Sequence, residues 1–389
     1  MPTTNTIYSG IPTTIFEVMS RLALAHDAVN LGQGFPDVDG PLELREFAAE
    51  ALVRGPNQYP PMLGLAALRQ AVARSYARFQ GLEVDWESET IITSGATEAL
   101  SDCINGLIEP GDEVVLLEPL YDCYAPLVER AGGIIKLVRL EPPEWDLPLQ
   151  ALSRAFSGNT KLLLLNNPMN PAGKMFSRVE LEAIVSLCRT HDAFIVADEV
   201  YEHLTFDDRP HISILSLPQA RERSVAIGSA GKTFSMTGWK VGSITGAVHL
   251  IEPIAKAHQF TTFTTPPHLQ IAVARGLDLP DSYFAGIKAD LAAKRDRMAA
   301  GLSKLGFEVG ACEAAYFLNA DFSALKIAEN DVEACQAMVR DAGVAAVPVS
   351  AFYRGPNPPL NFVRFCFCKQ DAVLDEAIER LAGWLKATT

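Results

Sequence analysis

Lys161-Leu-Leu-Leu-Leu165-Asn166-Asn-Pro-Met-Asn170-Pro-Ala-Gly173, the stretch Ser177–His191, and Ala193-Phe-Ile-Val-Ala-Asp198-Glu199 follow one another directly. A short apolar run stops at a polar, proline-bearing loop; a helix-period stretch follows, and a second apolar run ends on an acid. Runs that are apolar at every position suit strands covered on both faces, and a helical crossover between them makes the pair parallel. The unit repeats outward. Upstream lie strand candidates Thr90–Thr93, Glu113–Leu117 and Ile134–Arg139, with helical stretches Leu65–Phe79, Thr97–Ile108 and Tyr121–Ala131 among them. Downstream lie Ser224–Gly228 and Gly242–Ala247. The pattern predicts an α/β fold whose large domain holds a mostly parallel seven-stranded sheet between helices. Sites on such sheets form in the loops after the carboxyl ends of strands. Ser94 to Thr97, Asn166 to Gly173, Asp198 to Tyr201 and Ser229 to Lys232 all begin where an apolar run stops, so one rim of the sheet is expected to gather them.

At 389 residues the chain exceeds what a single core usually serves, and two lobes are expected. Beyond Pro280 the pattern changes to a long charged helix (Ser282–Leu305), short strands and a last helix (Asp371–Lys386). Residues 46–282 are assigned to the large domain, and 1–45 with 283–389 to an N-terminal arm and a smaller α+β domain. A net charge of −14 excludes nucleic acid and anionic membranes as natural partners, so an anionic ligand needs a local positive site. Seven cysteines without framework spacing read as free thiols of a reducing cytoplasm. Cys366 and Cys368 alternate along an apolar strand-like run and read as packing; no metal pattern is present. Met1 to Gly10 lacks a basic start and an apolar core, and no apolar run approaches the roughly 20 residues of a membrane span. A cytoplasmic enzyme is expected.

Gly228-Ser-Ala-Gly-Lys232-Thr-Phe-Ser-Met-Thr-Gly-Trp-Lys240-Val-Gly242 carries the chemistry. A lysine among small residues at a strand end has room for a bulky aldehyde adduct on its nitrogen. Its ordinary pKa of about 10.4 makes it a poor nucleophile at neutral pH, so desolvation and nearby cations must lower it. Ala226 to Thr233 also satisfies a relaxed phosphate-loop template, and Ala193 to Glu199 resembles the acidic strand of nucleotide hydrolases. A P-loop NTPase is therefore the distant alternative. Its order is reversed, its loop comes late, and Ser235-Met-Thr-Gly-Trp239 opens a poor helix where the phosphates would need one.

The lysine string resembles the signature of the class I/II aminotransferases, fold type I of the pyridoxal 5'-phosphate (PLP) enzymes. The other rim clusters match that family in the same order, from Asn30-Leu-Gly-Gln-Gly-Phe-Pro-Asp37 to Phe362-Val-Arg364-Phe-Cys-Phe. The resemblance implies that Lys232 holds PLP as a Schiff base and serves as general acid and base. It implies that Asp198 pairs with the pyridine nitrogen, while Tyr201 and Asn170 hydrogen-bond the ring's phenolic oxygen and Asn166 lines the same site. Gly95, Ala96 and Thr97, with Ser229 and Lys240, are implied to hold the phosphate, an assignment that free amides at a helix start support independently. Tyr121 is matched to the aromatic stacked on the ring. Arg364 is matched to the clamp for the substrate α-carboxylate, Gly34 abuts the substrate, and Tyr59 reaches the phosphate of a neighbouring subunit. A homodimer with shared active sites follows from that match.

Leu31 to Asp37, Asp198-Glu-Val-Tyr-Glu-His203 and the lysine string are similar to the methionine, glutamine and kynurenine aminotransferase group. The similarity implies ping-pong transfer of an amino group from an apolar or aromatic amino acid to a 2-oxo acid. Phe16 falls where kynurenine-preferring relatives carry tryptophan, which argues against kynurenine. The nearer alternative is cysteine-conjugate β-elimination on the same fold.

Overall fold

The computed structural model describes residues 4–388. The expected domain ends at Met1 and Thr389, and the first three residues of the Met1 to Gly10 stretch, lie outside them. The large sheet has seven strands: β1 (Thr90–Thr93), β2 (Glu113–Glu118), β3 (Ile134–Arg139), β4 (Thr160–Asn166), β5 (Phe194–Asp198), β6 (Ser224–Ser229) and β7 (Gly242–Gly246), in the order β1-β7-β6-β5-β4-β2-β3. Only β7 runs antiparallel to its neighbours. The continuous apolar runs have a direct physical reason. Along β2 and β4, Val114, Leu116, Leu162 and Leu164 enter one core, and Val115, Leu117, Leu163 and Leu165 enter the other. Successive side chains point to opposite faces, so both positions of the period-2 repeat must be apolar.

Helices cover the two faces. The Arg178–Thr190 helix starts at a Ser177–Glu180 capping box and buries Leu181, Ile184, Val185 and Cys188, a single stripe at helical spacing. The Ala96–Leu107 helix starts at Gly95, whose φ of 85° and extended ψ favour glycine.

Beyond the Asp281–Lys304 helix the chain forms a four-stranded antiparallel sheet: β8 (Glu308–Val309), β9 (Phe317–Asp321), β10 (Val347–Pro348) and β11 (Phe362–Cys366), ordered β10-β11-β9-β8. The Asp371–Thr388 helix closes the described chain. Val29–Asn30 pairs with Val344–Ala345, so the N-terminal segment is hydrogen-bonded to the C-terminal part of the chain.

Candidate active site

The carboxyl ends of β4, β5 and β6 bring Asn166, Asp198 and Ser229 to one rim. Gly95 to Thr97 arrive there from the end of β1, and Arg364 from β11 across the cleft. One cavity of about 390 Å³ is lined by all of these, together with Phe16, Gly34, Tyr121, Asn170, Tyr201, Lys232 and Lys240. The structure thus brings together every expected site residue except Tyr59.

Lys232 lies in the one-turn Ala230–Thr233 helix after β6. That helix ends immediately, which leaves the phosphate-loop template without the helix it requires. The Lys232 Nζ donates to the Tyr316 hydroxyl at 2.9 Å and to the Gly34 carbonyl at 3.4 Å. Burial lowers its pKa, while the Cys368, Cys366 and Asp198 groups pull the other way. Gly34 is where the chain must come close. A Cβ there would stand 2.9 Å from the Phe317 ring, so the ring packs this close to the Gly34 backbone only because that residue has no side chain.

Asp198 is almost wholly buried, accepts the Tyr124 hydroxyl at 2.6 Å and lies near the Val200 N–H. Burial raises its pKa to about 6, against the lowering effects of those hydrogen bonds and of Lys232. A carboxylate so placed is incompletely compensated by the chain and suits a protonated ring nitrogen. Asn166 donates from Nδ2 to the Asp198 carbonyl at 2.9 Å and accepts the Asn170 N–H at 2.7 Å, which fixes the loop after β4. Tyr201 is buried with its ring edge-on to Tyr316 at 5.4 Å, and burial raises its hydroxyl far above its usual range. Tyr121 lies 5.7 Å from the Tyr124 ring and is likewise raised by burial.

The anion cradle forms where β1 turns into the Ala96–Leu107 helix, with amides of the first turn lacking intrahelical acceptors. A Cβ on Gly95 would stand 3.3 Å from Lys240 Cε, and one on Gly242 would stand 2.8 Å from the Gly95 carbonyl carbon. Glycines therefore keep backbone amides, the Lys240 ammonium and Ser229 close around one pocket. These features fit PLP: a cradle for phosphate, a buried carboxylate for the ring nitrogen, and a lysine amine between them.

Arg364 is 1 % exposed. Its Nη1 donates to Asn170 Oδ1 at 2.8 Å and its Nη2 to the Gly32 carbonyl at 2.9 Å. The Nε has no partner among the described residues, and both acceptors of the guanidinium are neutral. Phe317, Phe352 and Phe16 surround the guanidinium at 4.1, 4.9 and 5.3 Å. Burial lowers its pKa to about 10, so it stays charged at neutral pH.

Tyr59 is 84 % exposed, packs its edge on Phe263 at 5.5 Å and does not line its own chain's cavity. Three contacts of the site are not foreseen from the sequence: Tyr124 on Asp198, Tyr316 on Lys232 and Phe317 on Arg364. Tyr124 stands three residues after Tyr121 in an aromatic-rich string, whereas Tyr316 and Phe317 carry no local signal.

Sheet, cavity and cradle define a PLP-dependent enzyme of fold type I. The chain belongs to the class I and II aminotransferase family, whose family model matches residues 26–381. It is 41% identical over 369 residues to the methionine aminotransferase of Escherichia coli, covering 95% of each chain. It is 42% identical over 380 residues to a probable N-succinyldiaminopimelate aminotransferase of Mycobacterium tuberculosis, covering 95% and 96%. A crystal structure of an Escherichia coli protein identified with methionine aminotransferase function superposes with a TM-score of 0.95 at 39% identity, over 98% of this chain and 100% of that one. The protein is an aminotransferase that uses PLP.

Proposed function

We propose that this aminotransferase takes its amino group from an apolar amino acid of the methionine type and passes it to a 2-oxo acid. One observation carries the reading: Arg364 is a buried cation whose acceptors are neutral, facing the cavity that holds Lys232, amid aromatic rings. The cations lining that cavity are Lys232, Lys240 and Arg364. With Lys240 at the phosphate cradle and Arg364 on the α-carboxylate, none is left in this chain for a second acidic group such as succinyl-diaminopimelate carries. Phe16, Phe35 and Phe317 offer apolar contact instead.

PLP supplies an aldehyde carbon and a ring that accepts electrons from the substrate's Cα–H bond. Lys232 Nζ, with its pKa lowered, removes the Cα proton, a role whose proton-transfer share is typically about 10²–10⁴-fold. Arg364 orients the α-carboxylate through paired N–H donors. Asp198 supplies negative charge to the ring nitrogen, and Tyr201 with Asn170 faces the ring's edge. The amine alternates between anchor and proton carrier, and because the amino group would stay on the bound cofactor after the first oxo acid leaves, the reaction is ping-pong.

A panel of amino donors and oxo acids tests this, beginning with a half-reaction on methionine. Loss of the bound cofactor's visible absorption with release of the oxo acid alone is expected. Release of ammonia from a cysteine conjugate at a rate above methionine turnover would move the assignment to β-elimination. Acidic donors outpacing methionine would refute the apolar preference. We further propose that 1–45 with 283–389 forms the smaller domain, that Tyr59 serves a second copy of the chain in a homodimer, and that the enzyme is cytoplasmic; no helix among the described residues is long and apolar enough to cross a membrane.

A further inference from the structure

Cys366 and Cys368 do not line the cavity proposed for PLP and substrate, yet their sulfurs lie 3.2 Å apart and near enough to the reactive amine to act on its charge. β11 ends at Cys366, so Cys368 sits just past the sheet ladder. Residues two apart on an extended segment share a face, which places both thiols on the Arg364 side of the strand. Cys368 lines a second cavity of about 490 Å³ that Lys232 and Tyr316 also line, so a small solute reaches one sulfur from the lysine's own surroundings. Burial by itself would raise Cys366, but the hydrogen bond from Cys368 and the Lys369 charge override it and bring it to about 7. Burial and the bond to Cys366 push Cys368 the other way, well above its usual range, so the pair holds one proton, kept by Cys368, and the thiolate rests on Cys366.

We propose that Cys366 and Cys368 are a reversible oxidation site, at which a hydroperoxide closes the dithiol into an intramolecular disulfide and lowers turnover. The thiolate of the pair attacks a peroxide oxygen; the O–O bond breaks, the sulfur becomes a sulfenic acid, and the departing hydroxide or alkoxide takes a proton from solvent and leaves as water or an alcohol. The second sulfur then displaces the sulfenic oxygen, which departs as water with the remaining thiol proton. Two electrons pass from the sulfur pair to the peroxide. Reaching the covalent separation of about 2.05 Å requires the sulfurs to close by only about 1 Å. A ring closed over a single intervening residue is strained and therefore readily reduced. Phe367, that residue, donates its N–H to the Tyr316 carbonyl at 3.0 Å, and Cys366 donates to the Leu31 carbonyl at 2.7 Å. Tightening the ring pulls on Tyr316, whose hydroxyl holds Lys232, and on the Leu31–Gly34 backbone that meets Arg364.

Holoenzyme is treated with graded hydrogen peroxide and digested with trypsin, which cuts after Arg364 and Lys369 and yields one peptide, Phe365–Lys369, with both thiols. The expected peptide has lost two hydrogens, resists alkylation, and recovers with dithiothreitol. Activity falls several-fold in step with it and returns on reduction, while Cys368→Ser keeps its basal activity and resists peroxide. A peptide still alkylated at doses that inactivate the enzyme overturns the proposal and points to another thiol, such as Cys123. Equal sensitivity of Cys368→Ser, or full closure with unchanged activity, overturns it too. Should Cys368→Ser fail to fold, Cys366→Ala and wild-type peptide mapping separate the same outcomes.

Discussion

Arg364 shows how much one side chain asks of its surroundings. A guanidinium held among three aromatic rings has exchanged water for two protein acceptors, leaving Nε unpaired. Such a group gains most from a ligand that brings both charge and two parallel acceptors. Arg364→Lys keeps the charge and loses the fork. Charged hydrogen bonds are worth about 1.5–3 kcal/mol, so kcat/KM for methionine is expected to fall roughly 10–100-fold. An unchanged value would mean that the carboxylate binds elsewhere. Asp198 poses the opposite problem, a buried acid with too little positive charge. Its pKa is raised from 3.8 to about 6, so in cofactor-free protein its contribution is present below about pH 4 and lost as pH rises through about 6. The loss amounts to about 3 kcal/mol, which a protonated ring nitrogen paired with Asp198, as proposed, would offset. The gain in unfolding temperature on adding PLP is therefore expected to grow between pH 4 and 7, and to grow much less in Asp198→Asn. Parallel curves for the two proteins would separate Asp198 from the ring nitrogen.

At the scale of elements, the Ala96–Leu107 helix presents Glu98 in the turn proposed to hold the cofactor phosphate, where its charge would be unfavourable if left alone. His258 of the Val248–Thr261 helix answers it. Its Nδ1 lies 2.7 Å from Glu98 and 3.4 Å from Asp102, and its Nε2 lies 2.9 Å from the Met62 carbonyl. Both ring nitrogens face acceptors, so the imidazole is doubly protonated and has no lone pair for a metal, although the trio has ligand-like spacing. Burial opposes the charge, but Asp102 and Glu98 override it and raise the pKa to about 9. A raised folded-state value stabilises fully below about pH 6.5 and is lost as pH rises through about 9. Unfolding temperature should fall more steeply from pH 7 to 10 in the wild type than in His258→Gln; equal slopes would deny the clasp. This pair also marks where the sequence stops being legible. Strand ends, the lysine string and the Ser177 cap can be read because each is set by neighbours within a few residues. His258 meets Glu98 across 160 positions, Tyr316 meets Lys232 across 84, and Tyr124 meets Asp198 across 74. No local pattern encodes those distances. The segment beyond Pro280 is readable as a change of rhythm, but its strands of two to five residues are too short for periodicity to fix their order.

On the scale of the whole molecule, Tyr59 and Phe260 are each 84 % exposed, and Phe263, against which Tyr59 packs, is 38 % exposed. Aromatic side chains clustered at a surface favour contact with another protein surface, and a second copy of the chain provides one under two-fold symmetry. The proposal that Tyr59 completes its partner's site has a consequence for mixtures. Lys232→Ala chains retain Tyr59, and Tyr59→Ala chains retain Lys232; each homodimer alone is impaired at both sites. In a randomly reassorted mixture about half the dimers are hybrids, and one of the two sites in each hybrid has both residues intact, so activity should climb to about a quarter of the wild-type value. If every site were built from one chain, no hybrid would contain an intact site and activity per chain would stay at about half that of the Tyr59→Ala homodimer. Unfolding, mixing and refolding the two variants with PLP, then measuring transamination per chain, distinguishes these outcomes without any knowledge of the substrate's natural identity.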